Sequence, residues 1–346
     1  MMRKISAFLL SYCLLTLGAK AQSTPDPSSP YPRKMVVEEW TGTWCGMCVR
    51  GIVGMHYMEE NYGNEDFIGI AVHNNDRMES PSYKGFIDNY ILSSYPGCII
   101  NRTKVADPSA EVLQNNYDII SQSHTYCRVE ASAIPPEKDA SSLEVSATAS
   151  FAIDLEEANL MMTFVITQND VGPYPQYNNY SSGMFGPMEG WENKGNYVLT
   201  TYDDVVRDAT DCLGIPGSIP GQIEAGKDYT FSTTLSLDNV TDIDKCRLVV
   251  LLIDGNNGEI VNADRIDLHT SGIETPRYTC EPTVSLHAGM IKIEGDFARA
   301  ELYATDGKKS GEITTEAPFL NVPSGLYILT LTSKSGHFSS QKLIVP

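Results

Sequence analysis

The sequence predicts an α/β domain, then an all-β sandwich domain, then a small C-terminal β domain. Three observations carry this expectation. From Met35 to about His124, strand-like and helix-like segments alternate, which implies an α/β layer with central parallel strands. After Cys127 the period changes to two, with Leu143, Val145 and Ala147, and later Tyr229, Phe231 and Leu235, separated by polar residues. From about Ser271, short apolar runs are spaced by Gly and Pro turns.

Taken in order, residues 1–21 read as a secretory signal peptide. Arg3 and Lys4 form a basic start, Ile5 to Leu17 an apolar run, and Ala19-Lys20-Ala21 a small-x-small cleavage signal before Gln22. Residues 22–34 are rich in Ser and Pro and read as an extended linker. The α/β domain is placed at 35–127. Val36 to Trp40 is its first strand. Cys48 to about Tyr62 is a helix with Val49, Ile52, Val53 and Tyr57 near one face. Phe67 to Val72 is a continuous apolar run, as in a strand buried on both faces. Ser82 to Leu92 forms a short helix and Cys98-Ile99-Ile100 a short strand. Asp107-Pro108 starts a helix that presents Leu113, Tyr117 and Ile120 at helical spacing. The β-sandwich domain is placed at 128–270, with Leu248 to Ile253 and Glu259 to Leu268 joined by the turn Asp254 to Gly258. The C-terminal β domain covers 271–346.

Composition narrows the function. The chain has 346 residues, 42% apolar and 20% charged, which is ordinary for a globular protein. Its net charge of −19 argues against nucleic acid, whose phosphates demand basic patches, and equally against docking on anionic lipid. Eight cysteines, less Cys13 in the leader, leave seven in an oxidising compartment. Their spacing is irregular except for Cys45 and Cys48. Among the others, Cys212 and Cys246 are a candidate disulfide, while the pairing of Cys98, Cys127 and Cys280 stays open.

Trp44-Cys45-Gly46-Met47-Cys48 follows a strand and opens a helix. Unpaired N–H groups and the positive end of the helix dipole stabilise a thiolate there, and the thiolate is the reactive form. An offset of three brings the second sulfur back to the first, so the pair can cycle between dithiol and disulfide. Cys45 is expected to be the exposed attacking thiol. Cys48, one turn into the helix, is expected to be the buried resolving thiol. The dipeptide Gly46-Met47 supplies no cation, which points to a reducing or isomerising pair. A zinc site needs a second ligand pair at metal-like spacing, and the sequence has none, so neither metal nor cofactor is expected. A purely structural disulfide is the competing reading.

Val36 to Cys48 resembles the thioredoxin superfamily, which makes the expected first domain a thioredoxin-like α/β domain. The resemblance implies that Glu39, six residues before Cys45, assists proton transfer to the resolving thiol. It also implies that Pro96, after Tyr95, is a cis-proline that positions substrate opposite the cysteine pair, with Trp44 shaping the surface. Glu38 to Cys48, Tyr95 to Arg102, Val72 to Asp76 and Ile260 to Ala263 are similar to the secreted Omp twenty-eight-related outer membrane proteins, over about residues 35–268. Pro323 to Ile328 and Gln341 to Val345 resemble the closing pattern of the C-terminal sorting domain of type IX secretion cargo.

These readings imply an exported thiol–disulfide oxidoreductase of a Gram-negative cell envelope, in the periplasm, the outer membrane or the cell surface. Its partners would be protein disulfide substrates and an envelope thiol electron donor, with association to the outer membrane. The alternative is a non-catalytic surface binding protein with a vestigial redox domain. Three further features carry weaker signals. His73 ends the buried strand and reads as a satisfied or exposed strand-end histidine, with a place near the cysteines as the competing reading. Asp203, Asp204, Asp208 and Asp211 do not match a calcium loop. The Gly-, Pro- and Tyr-rich segment 171–197 reads as a loop packed on its own sandwich, with glycan or peptide binding as the competing use.

Overall fold

The computed structural model describes residues 30–63, 66–89, 94–137, 140–268, 283–287, 290–294, 297, 299–304, 308–314, 317, 319–332 and 338–345. The expected signal peptide, most of the linker and Cys280 lie outside the described residues. The chain divides into two compact units, Met1–Thr270 and Ser271–Pro346.

In the first unit, β1 (Tyr31–Pro32) leads into β2 (Met35–Thr41), α1 (Val49–Tyr62) and β3 (Phe67–His73). The short helix α2 (Lys84–Asn89), β4 (Gly97–Ile100), β5 (Lys104–Ala106) and α3 (Ala110–Ile120) follow. Then come β6 (His124–Thr125), β7 (Cys127–Ala133), β8 (Ser142–Phe151), β9 (Leu160–Gln168), β10 (Val171–Tyr177) and β11 (Tyr197–Tyr202). The unit closes with β12 (Val205–Ala209), β13 (Asp228–Ser236), β14 (Cys246–Asp254) and β15 (Ile260–Asp267).

An eight-stranded sheet in the order β15-β14-β9-β12-β3-β2-β4-β5 runs through this unit. Only β2 with β3, and β3 with β12, pair in parallel; the other neighbours are antiparallel. This sheet overturns the expected fold class. The described residues are mostly β, 49% strand and 15% helix, and a mixed α/β thioredoxin-like domain followed by a separate sandwich is not evident. The physical reason is the edge of β3. The expected α/β layer would leave that edge to itself, but β12 pairs on it, and β9, β14 and β15 continue the same sheet.

Packing makes the merger firm. One core joins Val36, Trp40, Ile68 and Ile70 to Val165, Val249, Leu251 and Ile253. The opposite face of β9 and β14, with Phe164, Ile166, Leu248 and Val250, is covered by the three-stranded sheet β13-β8-β7 through Val129, Val145, Ala147 and Phe151. Strands buried on both faces read as continuous apolar runs. The far strand β15 also returns to the start of β2. Ile260 N donates to Asn101 O (3.0 Å), Arg33 Nη2 to Ile260 O (2.9 Å), and Lys34 Nζ pairs with Asp264 (2.6 Å).

Helix α1 covers β2 and β3 with Met55 and Met58, against Met35, Val37 and Phe67. Its far end is pinned by charge. Glu59 pairs with Arg247 (2.6 Å) and Arg265 (2.8 Å), and Arg247 also holds Asp204 (3.0 Å). Burial pushes Asp204 up to about 6, and the Arg247 cation opposes that rise. Val49, Ile52 and Val53, on the face expected from the sequence, pack together on a different side of α1 from the methionines, while Tyr57 is exposed.

The second unit holds β16 (Thr283–His287), β17 (Met290–Glu294), β18 (Arg299–Ala304), β19 (Lys309–Thr314), β20 (Phe319–Asn321), β21 (Gly325–Thr332) and β22 (Phe338–Val345). They form a three-stranded sheet β16-β17-β20 and a four-stranded sheet β19-β18-β21-β22. Ile291, Ile293, Leu302, Ile313 and Leu329 form the buried core of this unit. No helix among the described residues is long and apolar enough to cross a membrane.

Candidate redox site

The segment after β2 turns sharply into α1, and Cys45 and Cys48 are joined there as a disulfide with Cα atoms 5.3 Å apart. Cys48 N donates to Cys45 O (3.0 Å), and Gly51 N and Ile52 N donate to Cys48 O (3.0 and 3.1 Å). Cys48 is thus the N-cap of α1, not a residue one turn inside it. No acidic side chain sits in the first turn of α1 itself, so that turn adds no negative charge of its own at the positive helix end beside the sulfurs. The exposure differs from expectation. Cys48 is fully buried, and Cys45, expected to be open to solvent, is only 6% exposed.

One rim of the disulfide is aromatic. Trp44 is 46% exposed; its Nε1 donates to Asn74 O (2.8 Å), and its ring rests on Tyr95 at 5.1 Å. Asn74 Nδ2 in turn donates to Tyr95 Oη (2.7 Å). The Tyr95–Pro96 peptide bond is cis, and Pro96 is buried. The structure therefore brings Trp44 and Tyr95 together.

Glu39 lies behind the pair. It stands opposite Cys98 on β4 in the sheet register. Its carboxyl presses on α1 at Gly51, where any β-carbon would collide with Glu39 Oε1, and only glycine leaves the space. Glu39 is 2% exposed, and its Oε1 has no hydrogen-bond partner. Burial pushes Glu39 up to about 8. The charges of Asp204 and Asp107 add to the rise, and a hydrogen bond with Thr41 opposes it. This carboxyl keeps its proton at neutral pH. Burial likewise raises the Cys98 thiol, with the Glu39 charge adding, so Cys98 stays an inert thiol.

The other side of the disulfide loop is held by residues of the 171–197 segment, which the sequence did not link to the cysteines. Three of its carbonyls accept from the β10–β11 region: Thr43 O from Tyr177 N (2.8 Å), Cys45 O from Gln176 Nε2 (2.8 Å) and Gly46 O from Asn179 N (3.0 Å). Any β-carbon at Gly46 would collide with Asn179. The aromatic segment expected to pack on its own sandwich instead covers the start of α1. Tyr180 and Trp191 pack with Met47, Val49 and Val53. Beneath, His73 bonds Asp76 (2.8 Å), and Asp76 accepts from Thr43 N (2.9 Å) and Met78 N (2.8 Å). Burial raises the Asp76 carboxyl, but its bonds to His73, Thr43 and Met78 prevail, and it sits below its ordinary value. His73 is a satisfied, buried histidine, edge-on to Tyr202.

Cys212 and Cys246, a candidate disulfide in the sequence, are both free and sit in different cores. Cys98 and Cys127 are free as well. Asp204 answers Arg247 rather than a cation, and no cluster of three metal-ligating side chains exists among the described residues.

No family model matches the chain, and no curated protein matches it. Among solved structures, HBP35 of Porphyromonas gingivalis is similar at a TM-score of 0.54 and 17% identity, covering 92% of this chain and 100% of that one. A mutant of Salmonella alpha-2-macroglobulin matches at 11% identity, covering 64% of this chain and 17% of that one; its TM-score of 0.22 carries no argument. The likeness to HBP35 is one of fold.

Proposed function

We propose that the chain is an exported thiol–disulfide exchange protein of the cell envelope, of the Omp twenty-eight-related kind, with Cys45 and Cys48 as its redox pair. The observation that carries this reading is the closed Cys45–Cys48 disulfide at the start of α1, with the proton-holding Glu39 carboxyl against the same turn. In the reduced state, the Cys45 thiolate attacks one sulfur of a substrate disulfide. A mixed disulfide forms, and the first substrate sulfur leaves as a thiolate and takes up a proton. That proton comes from Glu39; the Glu39 carboxylate so formed accepts the Cys48 proton, and Cys48 Sγ then attacks Cys45 Sγ. The second substrate thiolate leaves, and the disulfide seen here remains. An envelope thiol donor returns two electrons and two protons. Trp44, Tyr95 and Pro96 form the side on which a polypeptide substrate lies. The C-terminal unit serves export or attachment at the outer membrane.

Turnover tests this reading. The wild-type protein is expected to accelerate reduction of a disulfide-bonded polypeptide by dithiothreitol, Cys45→Ser to lose that acceleration entirely, and Cys48→Ser to trap the mixed disulfide. A second reading, a surface binding protein with a static disulfide, draws on the burial of Cys45 and the three hydrogen bonds on its loop. A wild-type protein no faster than dithiothreitol alone, with its disulfide intact throughout, would favour that second reading.

A further inference from the structure

The β10–β11 hairpin belongs to the middle of the chain, yet its hydrogen bonds converge on the disulfide loop. Gln176 is the side chain through which it does so. It is 1% exposed, and each of its polar ends is used. Nε2 donates to Cys45 O (2.8 Å) and to Tyr177 O (2.9 Å), and Oε1 accepts from Tyr202 Oη (3.1 Å). Tyr202 is itself fixed edge-on by His73, 5.4 Å away. With the bonds to Thr43 O and Gly46 O, the loop is held on one side by the hairpin and on the other by α1 and β2.

We propose that Gln176 is a positioning residue that couples docking of the β10–β11 hairpin to the oxidation state of Cys45–Cys48. Reduction breaks the Sγ–Sγ bond and adds two electrons and two protons, supplied by a dithiol that is itself oxidised to a disulfide. The freed sulfurs must move apart, from bonded to van der Waals separation, and the carbonyl of Cys45 moves with its residue. The docked hairpin fits the oxidised loop, so it favours the disulfide over the dithiol. Coupling of this kind is reciprocal: whatever docking adds to the disulfide, the disulfide adds to docking. One buried hydrogen bond lost from a fully satisfied amide amounts to about a tenfold change in such an equilibrium. The coupling concerns the redox equilibrium of the pair and holds whether or not the protein turns over a substrate.

Two measurements on the full chain test it. Hydrogen exchange is followed in the wild-type protein, oxidised and after reduction by dithiothreitol, with the Cys45→Ser/Cys48→Ser double variant as the control for the reductant itself. Reduction is expected to speed exchange in segments 174–182 and 196–202 about tenfold, and the reductant to change nothing in the control. In parallel, Gln176→Ala is equilibrated with dithiothreitol buffers. Its disulfide is expected to be about tenfold easier to reduce, a shift of about 30 mV for a two-electron couple. Gln176→Met, which keeps the bulk but has no donor for Cys45 O, is expected to shift in the same direction. Exchange unchanged on reduction overturns the proposal even if Gln176→Ala does not fold. So does an unshifted equilibrium in a folded Gln176 variant.

Discussion

Arg102→Met is expected to destabilise the protein by ~3–5 kcal/mol, the cost of leaving one charge of a buried pair alone. Glu38 on β2 and Arg102 in the turn between β4 and β5 are both buried. Arg102 Nε donates to Glu38 Oε2 (2.8 Å) and Nη2 to Glu38 Oε1 (2.6 Å), a two-point contact. Tyr83 Oη donates to the same Oε1 (2.5 Å), and the guanidinium lies 5.6 Å from the Phe86 ring. Burial and the Glu38 charge hold the Tyr83 phenol well above its ordinary range, so it remains a donor. Without the guanidinium, Glu38 keeps one hydrogen bond and no counter-charge. Urea denaturation of wild type, Arg102→Met and the double variant Glu38→Leu/Arg102→Met decides the point. The double variant is expected to be the more stable of the two, because it removes both charges rather than orphaning one. If Arg102→Met alone unfolds at the wild-type urea midpoint, the buried pair contributes nothing to this core.

Glu39→Gln is expected to act in the opposite direction and to depend on pH. The carboxyl titrates at about 8 in the fold, against an ordinary value of 4.5. Between those values the folded state binds a proton that the unfolded state has released. Stability therefore falls as pH rises across this window, by ~1.4 kcal/mol per unit. The contribution of the protonated carboxyl is complete below about 4.5 and is lost as pH passes through about 8. Glutamine has no proton to lose. Relative to its stability near pH 4.5, the wild type is expected to fall behind Glu39→Gln by ~3 kcal/mol at pH 7. Denaturation curves at pH 5, 7 and 8 check this, and parallel curves for both proteins would refute the burial of an uncompensated acid. The same variant is expected to exchange disulfides more slowly, since its amide cannot take the Cys48 proton.

The local features were readable in the sequence, and the long-range pairings were not. β2, α1, β3 and α3 follow from runs such as Phe67–His73 and from the helical spacing of Leu113 and Tyr117. The Cys45–Cys48 bond was legible because an offset of three in one chain segment brings the two sulfurs together. The joining of β12, β9, β14 and β15 to the first sheet was missed because β-pairing is decided by partners far away in sequence. A signal was nonetheless present. Leu248 to Ile253 is as continuously apolar as Phe67 to Val72, and a strand with only one buried face would alternate. No comparable signal marked Gln176. Its amide meets Cys45 across 131 positions of sequence, and nothing in Tyr-Pro-Gln-Tyr distinguishes a buried donor from a loop residue. The burial of Cys45 was missed for the same reason, since the hairpin that accompanies its loop lies more than a hundred residues away.

The most direct measurement is equilibration of the native protein with glutathione redox buffers, followed by alkylation and mass analysis of each cysteine. Cys45 and Cys48 are expected to open and close together while the protein stays folded, passing through a glutathione adduct on Cys45, with Cys98, Cys127, Cys212 and Cys246 unchanged. A Cys45–Cys48 bond that opens only when the protein unfolds would contradict the redox assignment.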